Sequence, residues 1–378
     1  MKDKQLRILN VIGSLETGGA ESLLYYIHRH LKEKGYENFT ICTFTSNGSF
    51  YEKAKHDGLQ LISLGLKSKH DPRAIWRLVK VIKKGQFNVI HTHLLIAYLY
   101  SVIALFFVWN VKLVYTIHGI APNDFNSISK KFFYKILSFR TDRVVAVSNA
   151  TMKKYIELTS VNESKVSVVW NAVKNSISEI QKSSEEKRRE LDIEHNIPIL
   201  LAIGRVCEAK DYETLLKAAK LLKDQDQRYR LLIAGDGPLW DEMNLLRDTF
   251  GLQNNVTFLG RRNDIAELLN MADIFVQSSR WEGLSISIIE AMMFGKPIVA
   301  TAVDGTCEQI RNGIDGLLVP AGDHISLANA IKSLLNNKQM QLQYGQSAKK
   351  RAYEEFTMNI MSERLIKLYE EVFSIDSR

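Results

Sequence analysis

Ala272-Asp273-Ile274-Phe275-Val276 is a short apolar run, and Ser278-Ser279-Arg280-Trp281-Glu282-Gly283-Leu284-Ser285-Ile286-Ser287-Ile288-Ile289-Glu290-Ala291 follows it almost directly. The first stretch reads as a buried strand. The second reads as a polar turn and then a helix ending near Gly295-Lys296-Pro297, after which Ile298–Ala300 begins another strand. Strand, helix and strand in that order make a βαβ unit, whose helix crosses over a parallel sheet. The helix therefore starts at the C-terminal edge of the sheet, where open α/β folds bind ligands. Its N-terminus offers free N–H groups and a partial positive charge to a phosphate. Glu282 and Glu290 are poor phosphate ligands but good acceptors for sugar and ribose hydroxyls. The local chemistry points to a phosphate-linked sugar.

The same rhythm runs through the rest of the chain. Leu6–Ile12, Phe39–Phe44, Leu59–Leu64, Val89–Thr92, Leu113–Ile117, Arg143–Val147 and Ser167–Trp170 read as strands with helices between them. A polar stretch from about Val173 to Asn196 interrupts the pattern and reads as an interdomain connection with a solvated helical piece. The rhythm restarts with Ile199–Ile203, Leu231–Ala234, Val256–Leu259, Ile274–Val276 and Ile298–Ala300, and Met358–Phe373 closes the chain as a helix. Two Rossmann-like, doubly wound α/β domains facing each other across a cleft are the economical arrangement. The expected boundaries are 1–175 for the first domain, 176–358 for the second, and a helix from about 359 to 378 packing back on the first.

Composition narrows the partners. Apolar residues make up 46% and charged residues 24%, the balance of an ordinary soluble protein. Cys42, Cys207 and Cys307 are widely spaced, match no metal pattern and suit a reducing cytosol. The apolar run Leu6–Val11 is too short for a signal peptide. Residues 1–180 hold 25 Lys and Arg against 13 Asp and Glu, whereas the remainder holds 25 against 29, so the first half expects an anionic partner. Leu94–Trp109 carries no charge, but it falls short of a bilayer span and reads as a buried crossover helix between strands. Two other helices suit a membrane surface. Pro72–Lys84 interleaves Arg73, Arg77, Lys80, Lys83 and Lys84 with Trp76, and Ser127–Arg140 interleaves Lys130, Lys131, Lys135 and Arg140 with Phe132, Phe133 and Phe139. The basic residues lie on amphipathic helices without a groove-reading motif, which argues against nucleic acid.

Other junctions carry chemistry of the same kind. Gly18-Gly19 joins the first strand to the first helix and lets backbone N–H groups approach an anion, without the spacing of a dinucleotide fingerprint or a P-loop. Gly204-Arg205 and Lys210 follow the first strand of the second half, where a guanidinium fork and an ammonium can neutralise a leaving diphosphate. His118 ends a strand of the first half and is a site candidate. His91 and His93 lack a third ligand and read as packing or cleft-lining residues. Asp304-Gly305 marks a further strand-to-helix junction.

Together these residues resemble the retaining glycosyltransferase family 4, also known as glycosyltransferase group 1, which has the GT-B fold. The resemblance covers nearly the whole chain. It rests most on Glu282 through Glu290 with Ala291 and Gly295-Lys296-Pro297, supported by Gly18-Gly19, His118, Ser148, Asn171-Ala172-Val173, Gly204-Arg205 with Lys210, Gly235-Asp236-Gly237, Ala272-Asp273 and Asn312-Gly313 with Gly316. It implies a catalytic set of His118, Arg205, Lys210 and Glu282. Glu282 would sit near the donor sugar, Glu290 on the nucleotide ribose, and Arg205 and Lys210 on the diphosphate. Gly18, Gly19, Gly283, Leu284 and Ser285 would lie against the ligand, and Gly260 and Arg261 against the base. The nucleotide sugar, UDP-linked by family frequency, is a co-substrate, so no cofactor and no metal is expected. The acceptor would be a lipid-linked or polysaccharide chain, as in bacterial capsule or lipopolysaccharide synthesis, at the inner face of the cell membrane. Two positions depart from the family: Ala172 and Asp304 stand where glycine is common, and Asp304 either tunes ligand choice or points away. A nucleotide-sugar epimerase or hydrolase of the same fold, or a non-catalytic partner subunit, are the competing readings.

Overall fold

The computed structural model describes residues 6–16, 18–68, 70–121 and 128–374. The chain divides after Ala172 and again after Thr357, so the last helix belongs with the first unit. Parts of two expectations lie outside the described residues: Ser127 with the Lys130 side chain, and the final residues 375–378.

The first unit comprises β1 (Ile8–Ile12), α1 (Gly19–Glu33), β2 (Phe39–Thr43), α2 (Ser49–His56), β3 (Leu61–Ser63), α3 (Arg73–Gly85) and β4 (Val89–His93). It continues with α4 (Leu95–Ala104), β5 (Lys112–Ile117), α5 (Ile128–Phe139), β6 (Arg143–Ala146), α6 (Asn149–Thr159) and β7 (Val166–Val168). The strands form one parallel sheet in the order β3-β2-β1-β4-β5-β6-β7. Helices cover both faces, so β1 and β4 are buried at every position; β1 accordingly reads as a mostly apolar run, whereas β4 also buries His91, Thr92 and His93. On one face Leu9, Val11, Ile90 and Leu113 pack with Leu78 and Ile82 of α3 and Tyr98 and Val102 of α4. On the other, Leu24 and Ile27 of α1 line a narrow space with Met361, Leu365 and Tyr369 of the last helix, Met358–Ser374.

The second unit opens with α7 (Ser184–Glu190), then β8 (Ile199–Ile203), α8 (Tyr212–Asp224), β9 (Arg230–Ala234), α9 (Trp240–Thr249), β10 (Val256–Gly260) and α10 (Ile265–Met271). There follow β11 (Ile274–Gln277), α11 (Ile286–Met293), β12 (Ile298–Thr301), α12 (Thr306–Gln309), β13 (Gly316–Val319), α13 (His324–Leu335) and α14 (Lys338–Glu355). Its parallel sheet runs β10-β9-β8-β11-β12-β13. Both units are therefore Rossmann-like.

Three elements differ from the sequence reading. β13 was not anticipated, because Gly316-Leu317-Leu318-Val319 is short and opens on glycine. A Cβ at Gly316 would stand 2.2 Å from the Ile298 carbonyl oxygen, so only glycine lets this edge strand approach β12. The piece expected to be solvated, α7, is anchored instead. Ser183 and Glu186 form a capping box at its start, and Lys187 is buried. Burial alone would push the Lys187 ammonium down. Asp264 at 2.5 Å, Glu267 at 3.0 Å and Glu190 at 3.1 Å hold it up instead. The expected buried helix Leu94–Trp109 stops at Ala104, since Lys112 already begins β5. The turn between them leaves Phe106 68% and Trp109 85% exposed.

Candidate active site

In the second unit β8 pairs with β9 on one side and β11 on the other, so the connections after β8 and β11 leave in opposite directions. That reversal opens a crevice at the C-terminal sheet edge, the usual ligand position in such folds. The loop after β8 holds Gly204, Arg205 and Lys210; the loop after β11 holds Ser278 to Ser285.

Backbone contacts lace these loops together. The Ser278 hydroxyl donates to the carbonyls of Lys210 and Asp211, both at 2.9 Å, and the Arg280 N–H donates to the Ala209 carbonyl at 2.8 Å. Asp211 takes a left-handed φ of +47°, caps α8 through the Thr214 N–H, and pairs with Arg280 at 3.1 Å. With its backbone held this way, the Lys210 ammonium meets the Glu282 carboxylate. Ser279 donates a second hydrogen bond to the same Glu282 oxygen at 2.7 Å. The Glu282 N–H donates to Asp304 at 3.3 Å, and the Gly305 N–H returns to the Glu282 carbonyl at 3.5 Å. Asp304 thus accepts from the Glu282 backbone in the loop that carries the site. Its φ of +37° is unusual for a residue with a side chain.

Arg205 is exposed and makes no hydrogen bond or ion pair among the described residues. Its neighbour Gly204 is tightly enclosed: the Gly235 N–H reaches the Gly260 carbonyl at 2.8 Å, and a Cβ at Gly235 would lie 2.0 Å from the Gly204 carbonyl oxygen. The three strand ends β8, β9 and β10 therefore converge on backbone alone. Gly260 spends its carbonyl in that contact, and Arg261 reaches across to Asp236 at 2.7 Å.

Helix α11 begins only at Ile286, with Ser285 as its cap. The Ser285 hydroxyl accepts from the Ile288 N–H and donates to Gln277 at 2.7 Å, while Gln309 bonds the Ser285 backbone on both sides. Gly283, Leu284 and Ser285 are buried, so this stretch supports the crevice from below. Glu290 lies in the second turn of α11, half-buried, with no hydrogen-bond partner among the described residues. Burial raises its carboxyl from an ordinary 4.5 to about 7, against a weaker opposing pull from Lys174. Lys210 and Glu282 are thus brought together, while Arg205 and Glu290 are left with unused hydrogen-bonding capacity.

The first unit has its own candidate edge. Gly18 precedes α1 and, being glycine, supplies no side-chain cap. His118 follows β5 and is half-buried. His93, at the end of β4, places Nδ1 3.3 Å from His118 Nε2 and Nε2 3.2 Å from Asn10 Oδ1 of β1. His91, two residues earlier and so on the same face, bonds the Tyr369 hydroxyl and Thr116, each at 2.6 Å. Burial depresses all of these rings: His118 to about 4, His91 to about 3, and His93 well below the usual value. His91 is thus a packing residue, one of the two roles the sequence leaves open for it. The link from His93 to His118 was missed, although period-two alternation already places His91 and His93 on one face. Among the described residues no three His, Cys, Asp or Glu side chains are grouped to hold a metal ion.

Known proteins resemble this chain over both units. The family Glycosyl transferases group 1 matches residues 183–351, and Glycosyltransferase Family 4 matches residues 17–176. The N-acetyl-alpha-D-glucosaminyl L-malate synthase of Bacillus anthracis is 26% identical over 304 residues, covering 79% of this chain and 77% of the relative. The UDP-Gal:alpha-D-GlcNAc-diphosphoundecaprenol alpha-1,3-galactosyltransferase of Escherichia coli is 27% identical over 276 residues, 71% of either chain. The crystal structure of Anabaena Alr3699/HepE in complex with UDP and glucose superposes with a TM-score of 0.86 over 97% of this chain and 100% of that one; at 22% identity it speaks for the fold. Two Rossmann-like units, a basic and acidic pair at the switch point of the second, and two family matches that between them take in most of the sequence lead to one conclusion: the chain belongs to glycosyltransferase family 4, group 1, with the GT-B fold.

Proposed function

We propose that this glycosyltransferase moves a sugar, with retention at the anomeric carbon, from a UDP-sugar to a lipid-linked or polysaccharide acceptor at the cytoplasmic membrane face. The observation that carries the reading is the Lys210–Glu282 pair beside an unpartnered Arg205 at the β8/β11 switch point. An ammonium has three donors. Lys210 can keep Glu282 with one and turn others, with the Arg205 fork, toward a diphosphate. Glu282, fixed by Lys210 and Ser279, presents its remaining oxygen to a sugar hydroxyl. Glu290 accepts from ribose hydroxyls. In the reaction the bond from the anomeric carbon to the β-phosphate oxygen breaks, and a bond to the acceptor oxygen forms on the same face. The acceptor proton passes to the departing phosphate oxygen. Stabilising that departing charge is worth several kcal/mol, and no metal is required.

The basic first half supports the membrane reading. α3 exposes Trp76 with Arg73, Lys80, Lys83 and Lys84, and α5 exposes Phe132 and Phe139 with Lys131 and Lys135. The Trp76 ring lies 4.7 Å from that of Phe107, and Trp109, two residues further on, is also exposed. Among the described residues no helix is long and apolar enough to cross a membrane. The E. coli relative, by its name, uses UDP-galactose and a diphosphoundecaprenol-linked acceptor. The test is a thermal-shift panel of UDP, GDP and ADP sugars, followed by transfer of the hit to undecaprenyl-diphosphate sugars, with NMR of the product's anomeric centre. Stabilisation by UDP derivatives and an unchanged anomeric configuration are expected. Sugar release without acceptor would establish a hydrolase instead.

A further inference from the structure

The contacts among Asn10, His93 and His118 fix more than position. They cross three neighbouring strands, β1, β4 and β5. Asn10 and His93 are 3% and 7% exposed. A neutral imidazole carries one N–H and one lone pair. The Asn10 Oδ1 atom only accepts, so the proton of His93 lies on Nε2, and its Nδ1 must accept in turn. The proton of His118 then lies on Nε2. His118 Nδ1, which has no partner among the described residues, is left as a bare lone pair.

We propose that Asn10 and His93 act as positioning residues that hold His118 in its Nε2–H tautomer, so that this sheet edge offers a neutral hydrogen-bond acceptor. Such a group recognises a hydroxyl, and it repels a phosphate oxygen, which can only accept. The surrounding groups leave the assignment intact. His91 is occupied by Tyr369 and Thr116, and His28 of α1 is buried against Phe39. The low values at His93 and His118 keep both rings uncharged at neutral pH. The ligand being a sugar rests on the proposed function; the tautomer does not.

The test uses the whole protein labelled with ¹⁵N-histidine and a two-bond ¹H–¹⁵N correlation spectrum at neutral pH, with His118 assigned by its loss in His118→Gln. Wild type is expected to show a protonated Nε2 and a bare Nδ1. His93→Phe removes the acceptor and should leave His118 as a mixture of tautomers. His93→Asn, whose Oδ1 stands close to the place of Nδ1, should restore the single form. Asn10→Leu is the second route to the same loss should His93→Phe fail to fold. A proton on Nδ1 in wild type, or an unchanged His118 pattern in both His93→Phe and Asn10→Leu, overturns the proposal. In transfer assays kcat should fall about tenfold in His93→Phe, the scale of one hydrogen bond. The nucleotide KM should not move, and His93→Asn should recover kcat. If the tautomer shifts while kcat holds, the relay stands and the sugar contact assigned to His118 fails.

Discussion

Replacing Glu290 with glutamine should make the second unit more stable at pH 8 and leave it unchanged near pH 4. The Glu290 carboxyl lies at about 7 in the folded protein against an ordinary 4.5. Below pH 4.5 it is protonated in folded and unfolded chains alike, and it costs nothing. Between 4.5 and 7 the folded state keeps a proton that the unfolded chain has released, so stability falls as pH rises. Above pH 7 the penalty is complete. At about 1.4 kcal/mol per pH unit it is about 3.5 kcal/mol, and residual solvent contact of the half-buried carboxyl brings it to about 2–3 kcal/mol. Other carboxylates titrate in the opposite sense: Glu190 is held near 2 by Lys182 and Lys187. Urea unfolding of wild type and Glu290→Gln at several pH values isolates the one group, because the difference between the two proteins cancels the rest. A gap opening from zero to roughly 2–3 kcal/mol between pH 4.5 and 7.5 is expected. A gap independent of pH would refute the reasoning. On the proposed function the carboxylate form also accepts from ribose hydroxyls, so nucleotide affinity should rise through pH 7 in wild type and stay flat and weak in the variant. Stability is thus given up to keep a buried acceptor.

Lys210→Ala and Arg205→Ala should each lower turnover by about 10²–10³-fold with thermal unfolding little changed, as for lost oxyanion stabilisation; near wild-type turnover with the nucleotide sugar would remove both from the mechanism. Asp304→Gly relieves the positive φ but deletes the acceptor for the Glu282 N–H, so we expect stability within about 1 kcal/mol of wild type and a clear loss of kcat; calorimetry beside steady-state kinetics separates the two effects. Replacing Trp109 and Phe139 with serine and Lys131 and Lys135 with glutamine should abolish salt-sensitive co-sedimentation with anionic phospholipid vesicles, each basic residue near the surface being worth about 1 kcal/mol; retained binding would place the membrane contact elsewhere.

Some of this structure could be read from the chain alone, for identifiable reasons. β8, β9, β11 and β12 are buried on both faces, and burial on both faces writes continuous apolar runs into the sequence. β13 escaped because its defining contact, Gly316 against the Ile298 carbonyl, is made to a strand already placed. Lys210 and Glu282 could each be singled out by their position after a strand. Their pairing could not, since 72 residues separate them and only the strand order β8-β11 makes them neighbours. The hydrogen bond of Asp304 to the Glu282 N–H joins two loops 22 residues apart in the chain and could not be read from either. The charges of α7 were misjudged for a similar reason: a basic run looks solvated until Asp264 and Glu267, far along the chain, are seen to enclose Lys187.

The helix Met358–Ser374 has a consequence in time. It completes the first unit, yet a ribosome reaches it only after all of Val173–Thr357. At 5–20 residues per second that interval is on the order of ten to forty seconds. Throughout it, His91 lacks the Tyr369 hydroxyl, and α1 lacks Met361 and Leu365. The unit that emerges first is thus the last to be finished. Its open apolar face is one that a nascent-chain chaperone would hold until the final helix arrives.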